Sequence, residues 1–449
     1  MFVRKKNHHM GYSMVIAGGF FAIIMTGAIL LTLPISSKAG TFTPFVDCLF
    51  TATSASCVTG LIPFDTATHW TIFGQIVIIS MIQIGGLGFM TISMIFMFLF
   101  RRKVGLRTRT LLKESANVMY IGGVVRLAKM ILRRTLIFEG IGAILLASQF
   151  IPDIGWKMGI YYGIFHSISA FCNAGFDLMG IYFGPSSSIV HYQTNPVVCL
   201  TICALIVIGG LGFLVWDDIT RNRFRFKKFR LHTKVVLTAT AILIVVGAAL
   251  FFVLEYNNTF AGKTVAEKAL MAVFQSVTPR TAGFNSVDQG SLTEGSKMLT
   301  MFLMFVGGSS GSTAGGIKTT TMVLIILMVL SIISNERHAH IFGRRIDTDT
   351  TKRAATIFAL NVSLITLGTF LICCTSNFSL EDVVFEAFSA MGTVGLTVGV
   401  SGACNAFAKI ILTLLMYFGR VGSLSFALIF TEKKTSRELE YPEEALMIG

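Results

Sequence analysis

Four times along the chain, two long apolar runs enclose a shorter, half-polar stretch that closes on glycine followed by Leu or Phe. The stretches are "LFTATSASCVTGL" (Leu49–Leu61), "IFHSISAFCNAGF" (Ile164–Phe176), "VFQSVTPRTAGF" (Val273–Phe284) and "VFEAFSAMGTVGL" (Val384–Leu396). Each opens with an apolar residue and Phe and passes through Ser or Thr. Their glycines, Gly60, Gly175, Gly283 and Gly395, stand 115, 108 and 112 residues apart. A regular period of this kind marks one structural unit used repeatedly. The runs after the loops echo one another too: "IQIGGLGFM" (Ile82–Met90) matches "IVIGGLGFL" (Ile206–Leu214), with "MFVGGSSGS" and "YFGRVGSLS" in the corresponding places of units three and four. The unit reads as span, short re-entrant helix, extended loop, span.

The flanking runs are long enough for a bilayer. Spans are expected near residues 11–34, 70–100, 126–150, 195–216, 233–254, 297–334, 354–374 and 406–430, each meeting the roughly 18-residue minimum for crossing. Of 449 residues, 53% are hydrophobic and 13% charged, with mean hydropathy +0.72. Soluble domains carry about 25% charged residues, so this chain has too few to cover a watery surface. The first run lacks a small-residue cleavage site and is expected to be a retained helix. The fold class is therefore an all-α polytopic membrane protein, with eight full spans and four re-entrant helices about a central pore. Its expected segments are a cytoplasmic N-terminus (1–10), pore unit one (11–100), a loop with unit two (101–220), a basic loop with unit three (221–336), a loop with unit four (337–430) and a cytoplasmic tail (431–449).

The net charge of +14 could suggest nucleic acid, but the basic residues sit in alternate connectors. They cluster over Arg101–Arg134, Arg221–Lys234 and Arg337–Arg353, while Ile35–His69 holds only Lys38 and Ile151–Tyr192 only Lys157. That asymmetry is the positive-inside pattern. It places both termini in the cytoplasm and explains the charge without nucleic acid. The eight cysteines, Cys48, Cys57, Cys172, Cys199, Cys203, Cys373, Cys374 and Cys404, have no metal-ligand spacing and read as small packing residues.

Irregular backbone at membrane depth is tolerated only where protein buries it or a water-filled path borders it. Four such loops around a pseudo-fourfold axis can offer carbonyls in place of a cation's water shell. Glycine supplies the unusual φ that turns carbonyls toward the axis, and each preceding helix aims its negative C-terminal end at the cavity. Gly85, Gly86, Gly88, Gly209, Gly210 and Gly212 are read instead as helix-packing glycines.

"FVGGSSGSTAGGIKTTT" interrupts the second span of unit three. Over Gly307–Gly316 it holds five glycines and three serines, each glycine costing a helix about 1 kcal/mol relative to alanine. The segment is expected to unwind, which is tolerable under a pore. "GSTAGGIKT" nearly spells a phosphate-binding loop, but Ile317 separates Gly316 from Lys318 and no strand precedes it. No dinucleotide motif occurs either, so no nucleotide site is expected in this chain, and no enzyme. Arg420 lies within a span, where a charge faces a cavity or a partner. Glu139 is also at membrane depth and reads as structural.

On these residues the chain resembles the Trk/Ktr/HKT superfamily of potassium transporters, and most of all the membrane subunit of a bacterial Ktr system. The likeness covers nearly the whole chain, with filters "CVTG", "CNAG", "RTAG" and "GTVG", plus "TPRTAGFNS", "GSTAGGIK" and the "GR" of unit four. It implies a potassium filter lined by backbone carbonyls of Cys57, Val58, Thr59 and Gly60; Cys172, Asn173, Ala174 and Gly175; Arg280, Thr281, Ala282 and Gly283; and Gly392, Thr393, Val394 and Gly395. In plant relatives serine at the first-loop glycine goes with sodium transport, so Gly60 implies potassium preference. Arg280 departs from the Cys or Gly of the other units, and its side chain is expected behind the filter.

The resemblance further implies that Gly307, Gly308, Ser309, Ser310, Gly311, Ser312, Thr313, Ala314, Gly315 and Gly316, with Lys318, form an intramembrane gate. Arg420 would act there as a positive barrier or a latch, the alternative being a structural ion pair. The family's membrane subunits are homodimers on an octameric ring of cytosolic nucleotide-binding subunits, with the C-terminal tail ("YPEEALMIG" here) at the dimer interface. The basic loops Arg101–Lys113 and Arg221–Lys234 are docking surfaces or simple anchors. Potassium would be the transported ion, in the bacterial plasma membrane. The competing expectation is a symporter coupled to protons or sodium, against which span interiors almost without carboxylates argue.

Overall fold

The structure is a computed structural model, and residues 12–88, 124–336 and 338–422 are described. The expected N-terminal segment, the basic loop around Arg101–Lys113 and the C-terminal tail lie outside the described residues. Helices of ten or more residues repeat a three-part order. Unit one has α1 (Tyr12–Thr32), α2 (Phe45–Cys57) and α3 (Ile72–Leu87). Unit two has α4 (Val124–Ile154), α5 (Trp156–Phe171), α6 (Pro196–Leu211) and α7 (Phe213–Asn222). Unit three has α8 (Leu231–Leu254), α9 (Val265–Val277), α10 (Glu294–Phe305) and α11 (Thr319–Ile333). Unit four has α12 (Thr348–Cys373), α13 (Leu380–Gly392) and α14 (Ala406–Val421). The described strands are a two-residue antiparallel pair, His340–Ile341 with Arg344–Arg345.

The first helix of each unit, α1, α4, α8 and α12, is by itself long and apolar enough to cross a membrane. These helices leave Phe21, Ile144, Val253 and Phe370 exposed, as residues bordering hydrocarbon rather than water can be. The second helix of each unit lies inside. In α2, ten residues from Asp47 to Cys57 are buried. Local capping sets where these short helices start. Thr264 and Glu267 form a capping box before α9, and the Ser379 hydroxyl accepts from the Asp382 N–H before α13.

Unit two departs from expectation. The run over 195–216 is not one straight helix: α6 ends at Leu211, and α7 leaves at 93°. The cause is Gly212, whose φ of 99° no side-chain-bearing residue adopts readily. Its neighbour Phe213 donates its N–H to the Gly311 carbonyl at 2.8 Å, across to the broken span of unit three. Gly88 (φ 83°) and Gly422 (φ 94°) end α3 and α14 at the matching positions. The break expected in unit three is present and runs from the end of α10 to Thr319.

The first and last units are joined directly. Lys409 of α14 donates to Asp47 in the first turn of α2 at 2.6 Å, with side chains 13% and 11% exposed. Removing one partner of such a nearly buried pair strands the other's charge. Lys409→Met or Asp47→Leu alone should therefore cost about 3–5 kcal/mol, while the double substitution recovers most of the loss. Thermal melting of the detergent-purified variants checks this; a double variant no better than the singles would refute it.

Candidate ion path

Each short inner helix ends in a four-residue loop with one repeated conformation. The second residue is left-handed: Val58 (φ 59°), Asn173 (φ 60°), Thr281 (φ 68°) and Thr393 (φ 51°). The fourth is glycine with positive φ: 102° at Gly60, 68° at Gly175, 76° at Gly283 and 94° at Gly395. Alternating the hand of successive residues turns consecutive carbonyls to one side, where an ordinary strand would alternate them. A β-branched residue such as Val58 is a true outlier in this region. Sequence reading looked to glycine for all the unusual dihedrals and missed these second positions.

The strain is held by side chains six positions earlier in units one and four. Ser54 Oγ accepts from the Gly60 N–H at 3.0 Å, and Ser389 Oγ from the Gly395 N–H at 3.1 Å. Units two and three use the equivalent hydroxyl in reverse. Ser169 Oγ donates to the Phe176 carbonyl and Thr278 Oγ1 to the Phe284 carbonyl, both at 2.7 Å. These are the Ser and Thr residues that recur in the sequence stretches.

The four loops close on one another in chain order. A methyl group on Gly60 would lie 2.5 Å from the Ala174 carbonyl oxygen, and one on Gly175 would lie 2.5 Å from that of Ala282. A methyl on Gly283 would overlap the Val394 oxygen, and one on Gly395 the Thr59 oxygen. Each glycine thus abuts the third residue of the next loop, and unit four returns to unit one. The structure brings all sixteen expected filter residues into this one buried cluster. The Asn173 amide and the Thr281 hydroxyl, 3.1 Å apart, tie loops two and three as well.

The broken segment of unit three lies against the bases of these loops, not against the glycines. Thr313 Oγ1 donates to the Phe171 carbonyl at 3.2 Å, and Gly307 approaches the Thr281 methyl. Gly315 and Gly316 pack against Thr393 and Gly392. The Ser309 N–H reaches the Gly210 carbonyl at 2.9 Å, and the Gly316 N–H reaches that of Gly419 at 3.2 Å. The segment is folded, not loose: Ser309 pairs with Thr319 at 3.0 Å and Ser310 with Thr320 at 3.1 Å. Lys318 Nζ turns back onto the Ala314 and Gly315 carbonyls at 2.7 and 3.2 Å. Ser312 Oγ donates to the Ser309 carbonyl, and Gly308 stacks on Ala314.

Arg420 reaches the same place from α14. Its guanidinium donates to the Thr313 carbonyl in the broken segment and to the Gly85 and Gly86 carbonyls of α3. Among the described residues no carboxylate pairs with it, so carbonyls replace the ion pair that was its alternative reading. Glu139 is buried beside Gln83, which donates to it at 3.2 Å. Gln83 in turn accepts from the Cys172 thiol at the base of loop two, at 3.4 Å. The Arg280 side chain reaches α8, with Nη2 donating to Thr240 Oγ1 at 3.2 Å.

A closed ring of loops packed on a folded, broken segment, within a frame of helices long and apolar enough to cross a membrane, fits a membrane transport protein. Comparison agrees: the model of the TrkH family, described as cation transport protein, matches residues 5–440, and this chain belongs to that family. It is 42% identical to the potassium/sodium uptake protein NtpJ of Enterococcus hirae over 97% of this chain and 96% of that one. It is 40% identical to the Ktr system potassium uptake protein B of Bacillus subtilis, again over 97% and 96%. The crystal structure of the potassium transporter TrkH from Vibrio parahaemolyticus superposes with a TM-score of 0.76, at 16% identity, over 95% of this chain and 86% of that one. At that identity the match speaks for the fold alone.

The glycines after the loops divide into two kinds. A methyl on Gly85, Gly209 or Gly419 would overlap the carbonyl of Ser56, Phe171 or Met391, the residue just before each loop. At Gly210 the nearest atom is a terminal atom of the Asn173 amide at 3.5 Å, an ordinary contact. Gly209→Ala should therefore abolish uptake and lower the melting temperature, while Gly210→Ala keeps both near wild type. Cation uptake and melting of the purified variants read this out, and equal effects at both positions would refute the assignment.

Proposed function

We propose that this chain is the ion-conducting subunit of a potassium uptake system in the bacterial plasma membrane. The observation that carries the reading is the closed ring of four glycines, each preceded by a left-handed residue two positions earlier. Potassium sheds its water at the carbonyls of residues 57–60, 172–175, 280–283 and 392–395. It then meets the segment Gly307–Gly316, which bars the way until displaced. Arg420 acts as the latch, because its bonds span that segment and α3. The membrane potential supplies the drive, about 2.3 kcal/mol per charge per 100 mV.

Relatives named as potassium uptake proteins of Ktr systems support a separate cytosolic regulatory subunit; in this reading the chain is a homodimer and that subunit an octameric nucleotide-binding ring. Both termini would lie in the cytoplasm, on the side of the basic connectors. Sodium coupling stays as the second reading because the Enterococcus relative is named for both ions.

Two measurements test the proposal in cells lacking their own potassium uptake. Wild type should restore growth at limiting potassium and take up rubidium, more so with a cytosolic subunit present. Gly60→Ser should cut the preference for potassium over sodium about tenfold or more, because its side chain meets the Ala174 carbonyl. Unchanged selectivity in a folded variant would count against the filter, and sodium-dependent rubidium uptake by wild type would favour coupling. Deleting residues 309–315 should raise flux without the subunit; flux that stays flat in a folded protein would remove the gate.

A further inference from the structure

Arg280 is the only charged residue among the sixteen loop positions, standing where the other units have Cys57, Cys172 and Gly392. It is 5% exposed and its Nε has no partner. Thr240 is its side chain's hydrogen-bond partner. Among the described residues no carboxylate forms an ion pair with it. Arg280 lines a small cavity with Ile206, Val207 and Gly210 of α6, Val277 of α9 and Gly308 of the broken segment, and none of these neighbours is charged.

A guanidinium stays charged and offers five N–H groups, so burying one with so few partners is costly. The residue stands one turn past the negative C-terminal end of α9: Val277 is the last residue of that helix, and its carbonyl accepts the Arg280 backbone N–H at 3.1 Å. Helix C-termini carry about half a negative charge. In units one, two and four the first loop residue is uncharged, and the cations near those loops, Arg420 and Lys318, come from other elements and are held by backbone carbonyls of the broken segment and α3. In unit three the helix end is matched by a full positive charge.

We propose that Arg280 sets the ion affinity of the glycine ring by cancelling the field of α9. A cation there is drawn less strongly by α9 than it would be without Arg280. Conduction needs binding strong enough to strip water and weak enough to let go, and the reduced pull of α9 serves release. This inference rests on reading the ring as the filter.

The test compares rubidium uptake by wild type, Arg280→Gln, Arg280→Lys and Thr240→Asp, each with the cytosolic subunit, in cells lacking their own potassium uptake. Rubidium protection of the purified proteins against thermal unfolding gives affinity independently of flux. Arg280→Gln should lower KM and the rubidium concentration for half-protection about three- to tenfold, with a lower maximal rate. Arg280→Lys should stay near wild type. Thr240→Asp, which gives the guanidinium a counter-ion without removing it, should shift both quantities as Arg280→Gln does.

Unchanged or higher KM and half-protection in Arg280→Gln would overturn the proposal, as would Arg280→Lys behaving like Arg280→Gln. If Arg280→Gln does not fold, Thr240→Asp decides by the same criteria. Failure of both to fold beside a folded Arg280→Lys would make Arg280 a structural support and also overturn it. Gly60→Ser is run alongside. If it alters selectivity while Arg280→Gln leaves affinity unchanged, only the Arg280 inference falls; if it leaves selectivity intact, the filter reading falls first.

Discussion

The constraint on which this structure depends is the price of irregular backbone inside a membrane. Each unpaired peptide group there costs several kcal/mol, yet four loops leave helical geometry at the centre of the molecule. They are made tolerable by mutual burial. Every loop is walled by the next, glycine against carbonyl, so no single unit could fold its loop alone. The Ser and Thr hydroxyls of the short helices settle the N–H and C=O groups that the ring leaves over. The long helices then serve mainly to hold four short ones at a common depth.

The same constraint explains the second glycine set. The short helices end close together, and the helix that follows each loop must pass within backbone contact of that end. Gly85, Gly209 and Gly419 allow it. One turn later the helices of units one, two and four stop at Gly88, Gly212 and Gly422, all at positive φ. Unit three answers the same steric demand with a thirteen-residue interruption between Phe305 and Thr319 instead of a single glycine. The broken segment is therefore an enlarged version of a joint present in its sister units. Because it bonds to α5, α6 and α14 and receives Arg420, itself bonded to α3, its displacement would be felt by all four units.

Much of this was legible in the sequence because period and composition carry it. The four-unit order, the short helices, the loop glycines and the unwound segment of unit three all follow from where apolar runs stop and small residues begin. The bend at Gly212 was not legible. Hydropathy averages over it, and a glycine in a run of glycines reads as packing. Nor could the left-handed Val58 and Thr393 be foreseen, since both residues ordinarily avoid that conformation. What forces them is the closed ring, a tertiary fact that no local propensity contains. The hydroxyl staples lay in between: Ser54, Ser169, Thr278 and Ser389 stood out as recurrent, but the direction of each bond depends on the neighbouring unit.

Repetition with departures also separates the neutral parts of the centre from its charged parts. The parts that repeat, the helix ends, alternating dihedrals and glycines, are those the proposed cation site would require. The charged parts do not repeat. Arg280, Lys318 and Arg420 occur in units three and four only, and the described contacts of each are to neutral oxygens. A carboxylate beside any of them would neutralise it and fix it in place. Carbonyls and hydroxyls hold a cation while leaving its charge unbalanced, so each of these side chains can be displaced without stranding a buried anion. A segment tied by such bonds can be released by competition for the same oxygens, and under the proposed function a potassium ion would compete for them.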